Sequence, residues 1–425
     1  MGAPDAIQIE TAAAEGLAAA AEEDVLKLKA LGEMPAGFVD TQRTAALQRL
    51  EAIAEISQDL ARLQNQRATF SYLGQPSGIS HPQAAQHASW EQSVRGYLLE
   101  IQDTHGVANL ATNPESAEQL RSLLDAGERL ERSVQEQAET LRARFPRLYF
   151  ISDKDLHEIS KATNAKDLAS IITPHFEVKV TDYLYSEDGQ QVTGILEENG
   201  EKLHFASDAS VPFKISDLSL WLEQVCEAAS QAVKTDANKA VACMRDVNAT
   251  ELMDSSLSQN VLLALTLKFT QDVEAAFENQ SMKALHGSMN KIVQELSQVS
   301  KSSEELDKSA RKTIWNMLVF LINQRDRVGS FTEISGGAQS IAWQLTTRIY
   351  PVNGGEFVLR NGLSELPLSW EYLGVKQRLI ITPLTDRAYI SHCEAVSQIY
   401  GSTAQGPAGV GKTETVKDIG RLLGR

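Results

Sequence analysis

The sequence predicts a mainly α protein: elongated helical bundles with a small antiparallel β meander, ending in an incomplete α/β segment that carries a phosphate-binding loop. Long stretches repeat their apolar residues at three- and four-residue steps, which is typical of amphipathic helices. Two tight-turn dipeptides lie close together near residues 188–200, which indicates short strands. A glycine-rich octapeptide stands near the last residue and matches a phosphate-loop pattern.

The first predicted helix covers Thr11 to Leu31, a stretch rich in Ala, Glu and Lys, and the breaker Pro35-Ala36-Gly37 ends it. A second helix is predicted to begin with Asp40 or Thr41 as its cap. Its apolar residues form one stripe: Leu47, Leu50, Ile53, Ile56, Leu60 and Leu63. The stripe fits a coiled-coil seam or a core face, and the core face is favoured because a strict heptad is not sustained.

Glycines and prolines between Leu73 and His87 predict a loop, after which helices are expected at Trp90–Ile101 and Pro114–Arg144. Asp153 and Asp155 follow Ser152 and could be taken for a catalytic carboxylate pair. We interpret them instead as the first turn of a helix, where acidic side chains favour the helix dipole.

A small antiparallel meander is predicted between Val178 and Phe205. Alternating apolar residues lead to Asp188-Gly189 and then to Asn199-Gly200, both preferred tight-turn pairs. The alternative is a mere pair of exposed hairpins. The acidic residues Glu197, Glu198 and Glu201 are interpreted as solvated turn positions.

Helical periodicity returns after the meander. Trp221, Leu222, Val225 and Cys226 share one face, and Val261–Phe269 is densely apolar and therefore predicted to be buried. The next runs are Met282–Leu296 and Trp315–Ile322, the latter expected to be too apolar to face water. Helical rods joined in this way suit an elongated lever better than a globular enzyme.

The octapeptide fits the pattern G-x-x-x-x-G-K-[ST] and consists of Gly406, Pro407, Ala408, Gly409, Val410, Gly411, Lys412 and Thr413. Its glycines allow successive backbone N–H groups to point at phosphate oxygens, and the helix beginning near Lys412 adds its positive end. The pattern predicts that Lys412 reaches the β and γ phosphates of ATP and that the Thr413 hydroxyl binds Mg²⁺. The alternative is a glycine-rich turn that merely precedes a helix.

The residues leading to this loop have β character. Leu379–Thr382 is a short β-rich run, and a helix capped by Thr385 or Asp386 is predicted to reach about Ile399. Tyr400–Gln405 is expected to form the strand before the loop, although its composition is poor for a strand and neighbouring strands would be needed to hold it.

Composition limits the classes of partner and cofactor. A net charge of −16 and a pI near 5.1 argue against nucleic acid. The three cysteines are widely spaced, so we expect them to be reduced thiols. The histidines are scattered, so no pair of them has the spacing of a metal-binding pair. No run of eighteen apolar residues and no signal peptide is visible, so neither membrane insertion nor secretion is expected.

Several motifs follow one another in a recognisable order: FPRLYF at Phe145–Phe150, EYLG at Glu371–Gly374, ITPLTDR at Ile381–Arg387, and GPAGVGKT at Gly406–Thr413. This series resembles the dynein heavy chains, in which a linker precedes the first AAA+ module of the motor ring. Val410 stands where the family usually has Thr or Ser, and Ala388 stands where it usually has Cys. The cytoplasmic, intraflagellar and axonemal types all stay open, and Glu371–Gly374 followed by Val375 favours the cytoplasmic type.

The resemblance implies three parts: a helical N-terminal part of the linker at 1–145, linker bundles with the meander at 146–365, and the start of the first nucleotide-binding module at 366–425. It implies ATP and Mg²⁺ as cofactors and places Pro383, Leu384 and Thr385 beside the adenine. The acid and arginine finger needed for hydrolysis are expected outside this chain. The chain alone is expected to bind ATP weakly or not at all, because a phosphate loop without its sheet leaves the backbone cradle unformed.

For the intact protein, the resemblance implies ATP-driven movement along microtubules, with the linker delivering the stroke. Implied partners are the rest of the AAA+ ring, microtubules through a stalk, and dynein intermediate and light chains through a tail. The implied location is the cytoplasm and cytoskeleton, including cilia or flagella. Two alternatives stay open: a non-motor helical interaction protein with a vestigial loop, and another phosphate-loop NTPase.

Overall fold

The structure is a computed structural model that describes residues 10–32, 37–74, 83–103, 107–110, 113–160, 165, 180–187, 189–212, 218–244, 255–301 and 307–425. It divides into two compact units, Met1–Thr163 and Asn164–Arg425. Among the described helices, none has both the length and the apolar character needed to cross a lipid bilayer. The prediction of a mainly α fold with a small antiparallel meander is confirmed.

The first unit is helical in the residues that the structure describes. Its helices are α1 (Thr11–Ala30), α2 (Gly37–Phe70), α3 (Ala84–Asp103), α4 (Val107–Leu110), α5 (Pro114–Arg144) and α6 (Asp153–Ser160). The predicted cap of α2 is wrong by about one turn. Asp40 already lies inside the helix, because its carbonyl accepts a hydrogen bond from Thr44 Oγ1 at 2.9 Å and its carboxylate binds Arg43. The breaker residues Pro35 and Ala36 lie outside the described residues.

The apolar stripe of α2 serves as a core face. Ile56, Leu60 and Leu63 are buried in one cluster with residues of α3 and α5. Trp90 anchors this cluster from α3, and its indole Nε1 donates to the carbonyl of Leu123 at 2.9 Å. The core interpretation is therefore confirmed for this half of the stripe, whereas Leu47, Leu50 and Ile53 are only partly buried.

Asp153 and Asp155 occupy the first turn of α6, as predicted. Ser152 Oγ accepts a hydrogen bond from the backbone N–H of Asp155 at 3.2 Å, which satisfies a donor that the helix leaves free. Arg142 Nη2 donates to Asp153 Oδ1 at 2.7 Å. Both carboxylates therefore have structural roles at the start of this helix.

The second unit begins with the predicted meander. Strands β1 (Val180–Tyr185), β2 (Gln191–Glu197), β3 (Lys202–His204) and β4 (Val211–Pro212) form one antiparallel sheet, in which β2 pairs with the other three. Asn199-Gly200 forms the turn between β2 and β3, and Gly200 has a φ of 97° that glycine adopts without strain. Val178 and Asp188, which helped to predict the meander, lie outside the described residues.

Four long helices follow: α7 (Leu218–Cys243), α8 (Ser258–Glu278), α9 (Met282–Lys301) and α10 (Lys308–Phe331). The apolar run of α8 is buried, as predicted, in a cluster that includes the fully buried Trp343. In α10, the prediction that the run Trp315–Ile322 is buried is wrong at both ends of the run, because Trp315 is 52% exposed and Ile322 is 40% exposed. Successive residues of a helix point in different directions, so an apolar run cannot be buried throughout by a single neighbouring layer. Cys226 likewise lies outside the buried face of α7.

The last part contains a second antiparallel sheet that the sequence analysis did not predict. A short helix α11 (Ile341–Gln344) leads to β5 (Arg348–Val352), β6 (Glu356–Asn361) and β7 (Ser364–Pro367) in that spatial order. Two helices follow, α12 (Pro383–Ser397) and α13 (Lys412–Leu422). Both contribute to a core cluster with this sheet: Ile349, Phe357, Leu359, Leu366, Leu368, Tyr389, Cys393, Ile419 and Leu423.

Candidate nucleotide site

The loop between α12 and α13 has the backbone of an open cradle. Gly409 and Gly411 have φ values of 78° and 81°, in the left-handed region that favours glycine. Gly411 directly precedes α13 and provides no side-chain cap for it. The first N–H groups of an eleven-residue helix therefore remain available to an anion.

Lys412 is the first residue of α13, and its side chain folds back over the loop. Its Nζ donates to the carbonyl of Gly406 at 2.9 Å and to that of Pro407 at 2.5 Å. The ammonium group thus lies against the first two residues of the loop. A phosphate bound in this loop would offer Lys412 charged oxygens in place of the two neutral carbonyls. Hydrogen bonds to charged oxygens are stronger than those to neutral ones.

Thr413 is exposed on the first turn of α13, beside Lys412. A hydroxyl oxygen at this point suits Mg²⁺, which binds oxygen ligands and usually keeps several waters and substrate phosphates in its shell. Among the residues that the structure describes, no group of three or more His, Cys, Asp or Glu could hold a metal ion. If Mg²⁺ bound here, the Thr413 hydroxyl would supply one oxygen ligand, and a bound nucleotide and water would supply the others.

The three adenine-side candidates lie in the first turn of α12. Thr382 caps this helix, and a capping box joins it to Thr385: Thr382 Oγ1 accepts from Thr385 N at 3.4 Å, and the Thr385 hydroxyl accepts from Thr382 N at 2.8 Å. The helix therefore begins slightly earlier than the predicted cap at Thr385 or Asp386. Leu384 is 77% exposed, so it offers apolar surface to a base, while Pro383 supplies the first helical position.

The buried carboxylate of Asp418 joins α13 to α12 and to the segment that precedes α12. Asp418 of α13 is fully buried and accepts from Arg378 Nη2 at 3.0 Å and from the hydroxyl of Tyr389 on α12 at 2.5 Å. Burial, reinforced by the carboxylate of Asp418, raises the pKa of Tyr389 far above its ordinary value, so this hydroxyl keeps its proton and donates it. The sequence analysis missed Asp418. Its signal was an acidic residue on the face of α13 that also carries the buried Thr415 and Ile419.

The strand expected before the loop is absent. Residues 401–407 are irregular, as are residues 375–382, which include the β-rich run Leu379–Thr382. A strand needs a neighbour to accept its hydrogen bonds, and the described sheet β5–β7 pairs only within itself. The residues before the loop are instead tied to α12, because His392 Nδ1 lies 2.6 Å from Ser402 Oγ.

Two known protein families match different parts of this chain. Residues 368–425 match the family described as the hydrolytic ATP binding site of the dynein motor region. Residues 8–240, more than half of the chain, match the family described as dynein heavy chain, N-terminal region 2. The chain belongs to the dynein heavy-chain family. Both dynein matches agree with the predicted order, a linker followed by the start of the first nucleotide-binding module.

Individual dynein heavy chains are similar over most of this chain. Cytoplasmic dynein 2 heavy chain 1 of Mus musculus is 28% identical over 343 residues, which cover 79% of this chain and 8% of the mouse protein. The flagellar outer arm dynein beta chain of Chlamydomonas reinhardtii is 29% identical over 336 residues, covering 76% of this chain and 7% of that protein. The chain therefore spans less than a tenth of the length of these relatives.

The EYLG motif of the dynein series contacts the N-terminus of α8 and the meander. Gln259 holds its backbone from both sides: Nε2 donates to Glu371 O at 3.0 Å, and Oε1 accepts from Leu373 N at 2.7 Å. The hydroxyl of Tyr372 donates to Glu201 Oε2 at 2.9 Å. In this dynein segment the motif is therefore a structural joint between the helical region and the residues that lead to the nucleotide site.

Glu197 and Glu201 contradict the prediction that they are solvated. Glu197 is 1% exposed and binds the backbone N–H and side-chain amide of Asn199 in its own turn. The carboxyl group of Glu201 is enclosed and also accepts from Ser258 N at 2.7 Å. Burial raises the pKa of Glu201 to about 7. The prediction is wrong because residues distant in sequence cover this turn, whereas Glu198 is exposed as expected.

Proposed function

We propose that this chain is the linker, the mechanical lever, together with the ATP phosphate-binding loop of the first AAA+ module in an ATP-driven microtubule motor. The observation that carries the proposal is the geometry of residues 406–413: an open glycine loop that leads into an uncapped helix, with Lys412 folded over it. This geometry lies within the part of the chain that is similar to the ATP site of dynein motors.

In this proposal, Gly406–Thr413 bind the phosphates of ATP, and Pro383, Leu384 and Thr385 lie on the adenine side. Thr413 contributes one oxygen ligand to Mg²⁺, and the metal, when bound, neutralises charge on the β- and γ-phosphates. Lys412 leaves its carbonyl partners and pairs with those phosphates. The rest of the AAA+ ring completes the site, and microtubules and associated dynein chains bind elsewhere in the heavy chain. The parent protein is then a cytoskeletal ATPase of the cytoplasm, cilium or flagellum.

Replacing Lys412 with Ala should weaken ATP binding by about ten- to a hundredfold, because hydrogen bonds to charged groups are worth roughly 1.5 to 3 kcal/mol. The measurement is titration of the full heavy chain with a fluorescent ATP analogue and Mg²⁺. The matched control is Lys417→Ala, which removes an exposed lysine from the same helix and should leave affinity unchanged within about twofold. Equal ATP affinity in the wild type and in Lys412→Ala would show that the nucleotide does not bind at this loop.

Replacing Thr413 with Ala should reduce the contribution of Mg²⁺ to nucleotide affinity while leaving metal-free binding nearly unchanged. The reason is that the hydroxyl is proposed to bind the metal and not the phosphates. Titrations with and without Mg²⁺ separate the two effects, and Thr413→Ser is the conservative control that keeps the hydroxyl. A full heavy chain that binds no nucleotide at all would favour the alternative of a helical interaction protein with a vestigial loop.

A further inference from the structure

The irregular segment 376–382 leads to the adenine-side candidates, and side chains hold its backbone. In the described part of the chain no strand pairs with it. The buried Asn316 of α10 bridges two of its backbone groups: Nδ2 donates to Lys376 O at 2.7 Å, and Oδ1 accepts from Arg378 N at 3.0 Å. A side-chain amide thus takes the place that a neighbouring peptide group would have in a sheet.

Two further side chains of α10 continue this pattern toward the nucleotide site. Asn323 Nδ2 donates to the carbonyl of Ile381 at 3.2 Å. Arg327 Nε donates to Asn323 Oδ1 at 3.0 Å, which fixes the amide with its Nδ2 toward Ile381. Arg327 Nη2 also forms an ion pair with Asp386 Oδ1 at 2.5 Å, in which the Arg327 side chain is 15% exposed and that of Asp386 is 33% exposed.

Asn316, Asn323 and Arg327 are seven and four residues apart, which places them on one face of α10. We name these three residues the α10 polar row. Its last two members contact Ile381 on one side of Pro383–Thr385 and Asp386 on the other. The row therefore holds the residues on both sides of the adenine-side candidates, and it does so from a helix that lies outside the nucleotide loop.

We propose that Asn323 and Arg327 are positioning residues, which hold the adenine side of the site in place from α10. This inference rests on the proposed function, because it needs a nucleotide at Pro383–Thr385. Nucleotide contacts that shift the first turn of α12 must strain or release the Arg327–Asp386 pair. By linkage, a displacement of α10 that strains the same ion pair changes nucleotide affinity in turn.

The first test uses the nucleotide-free chain and measures amide hydrogen exchange in peptides that cover residues 376–387. Arg327→Ala and Asp386→Ala should each accelerate exchange by about three- to tenfold, and the double variant should be no faster than the faster single variant, because both remove the same interaction. The matched control is Arg325→Ala on the same helix, whose partner is the adjacent Asp326. It should leave exchange in this segment unchanged.

The second test measures ATP turnover in the full heavy chain. Arg327→Ala and Asn323→Ala should raise KM for ATP by about three- to tenfold while kcat stays within about twofold, since the row holds the adenine side and not the phosphates. Arg327→Lys keeps the charge but loses the planar fork, so an intermediate KM is expected. Arg325→Ala should leave both constants unchanged.

Unchanged exchange in Arg327→Ala, or multiplicative effects in the double variant, would overturn the inference. So would accelerated exchange with an unchanged KM, because the row would then be purely structural. If Arg327→Ala does not fold, Arg327→Lys and Asn323→Ala decide the same question. Failure of the wild-type heavy chain to bind ATP would instead refute the proposed function, and the exchange measurement on the nucleotide-free chain would still report whether the row holds the segment.

Discussion

Asp418→Ala should lower the free energy of unfolding of the second unit by about 3 to 5 kcal/mol. The substitution leaves the guanidinium of Arg378, only 15% exposed, without its carboxylate partner and removes the acceptor of the Tyr389 hydroxyl. Breaking a shielded ion pair by removing one partner carries a penalty of this size. The measurement is a urea titration followed by hydrogen exchange in peptides of the second unit.

Two variants identify the cause of the Asp418 effect. Asp418→Asn keeps the volume of the side chain, so a similar loss would assign the effect to the missing charge. Glu414→Ala removes an exposed carboxylate from the same helix and should cost about 1 kcal/mol or less. A loss below about 1 kcal/mol for Asp418→Ala would show that the pair with Arg378 is not buried in solution.

The second unit should lose stability as pH rises from about 4.5 to about 7, through the titration of Glu201. Its pKa is raised from the ordinary 4.5 to about 7 by burial, and the carboxylates of Glu197 and Asp236 face it as well. A raised pKa means that the folded state holds a proton which the unfolded state has already released. The stabilisation is therefore complete below pH 4.5, is lost through pH 7, and amounts to at most about 3 kcal/mol.

Glu201→Gln isolates this contribution from that of the other carboxylates. Its amide can still accept from Ser258 N and contact the hydroxyl of Tyr372, but it carries no charge to bury. We expect the variant to gain stability relative to wild type between pH 5 and pH 8, by about 2 to 3 kcal/mol. Glu198→Gln changes the exposed residue of the same turn and should follow the wild-type profile. A constant difference between Glu201→Gln and wild type across this range would contradict the shifted pKa.

Elements that depend on residues close together in the sequence were predicted from the sequence. The helices of the first unit and the meander follow from periodicity and from the Asn199-Gly200 turn. The sheet β5–β7 had signals of the same kind, because turns with Asn353-Gly354 and Asn361-Gly362 separate its strands, but these pairs were not used. That sheet was therefore predictable from the sequence.

The state of Glu201 could not be predicted in this way. Its enclosure depends on Tyr372, 171 residues further along the chain, and a tight-turn pattern carries no information about such a partner. The loop residues Gly406–Thr413 were found because their spacing follows directly from the chemistry of phosphate binding. The α10 polar row has no comparable spacing rule, and its role becomes visible only once segment 376–382 lies against it.

The irregular segment 376–382 has one further property that follows from its partners. In a β-sheet, neighbouring inter-strand bonds support one another, so a strand tends to detach as a whole. Here the backbone bonds go to separate side chains on two helices, to Asn316 and Asn323 on α10 and to Asp418 and Arg421 on α13. Each bond can break while the others persist, so the segment can yield stepwise instead of in one cooperative event.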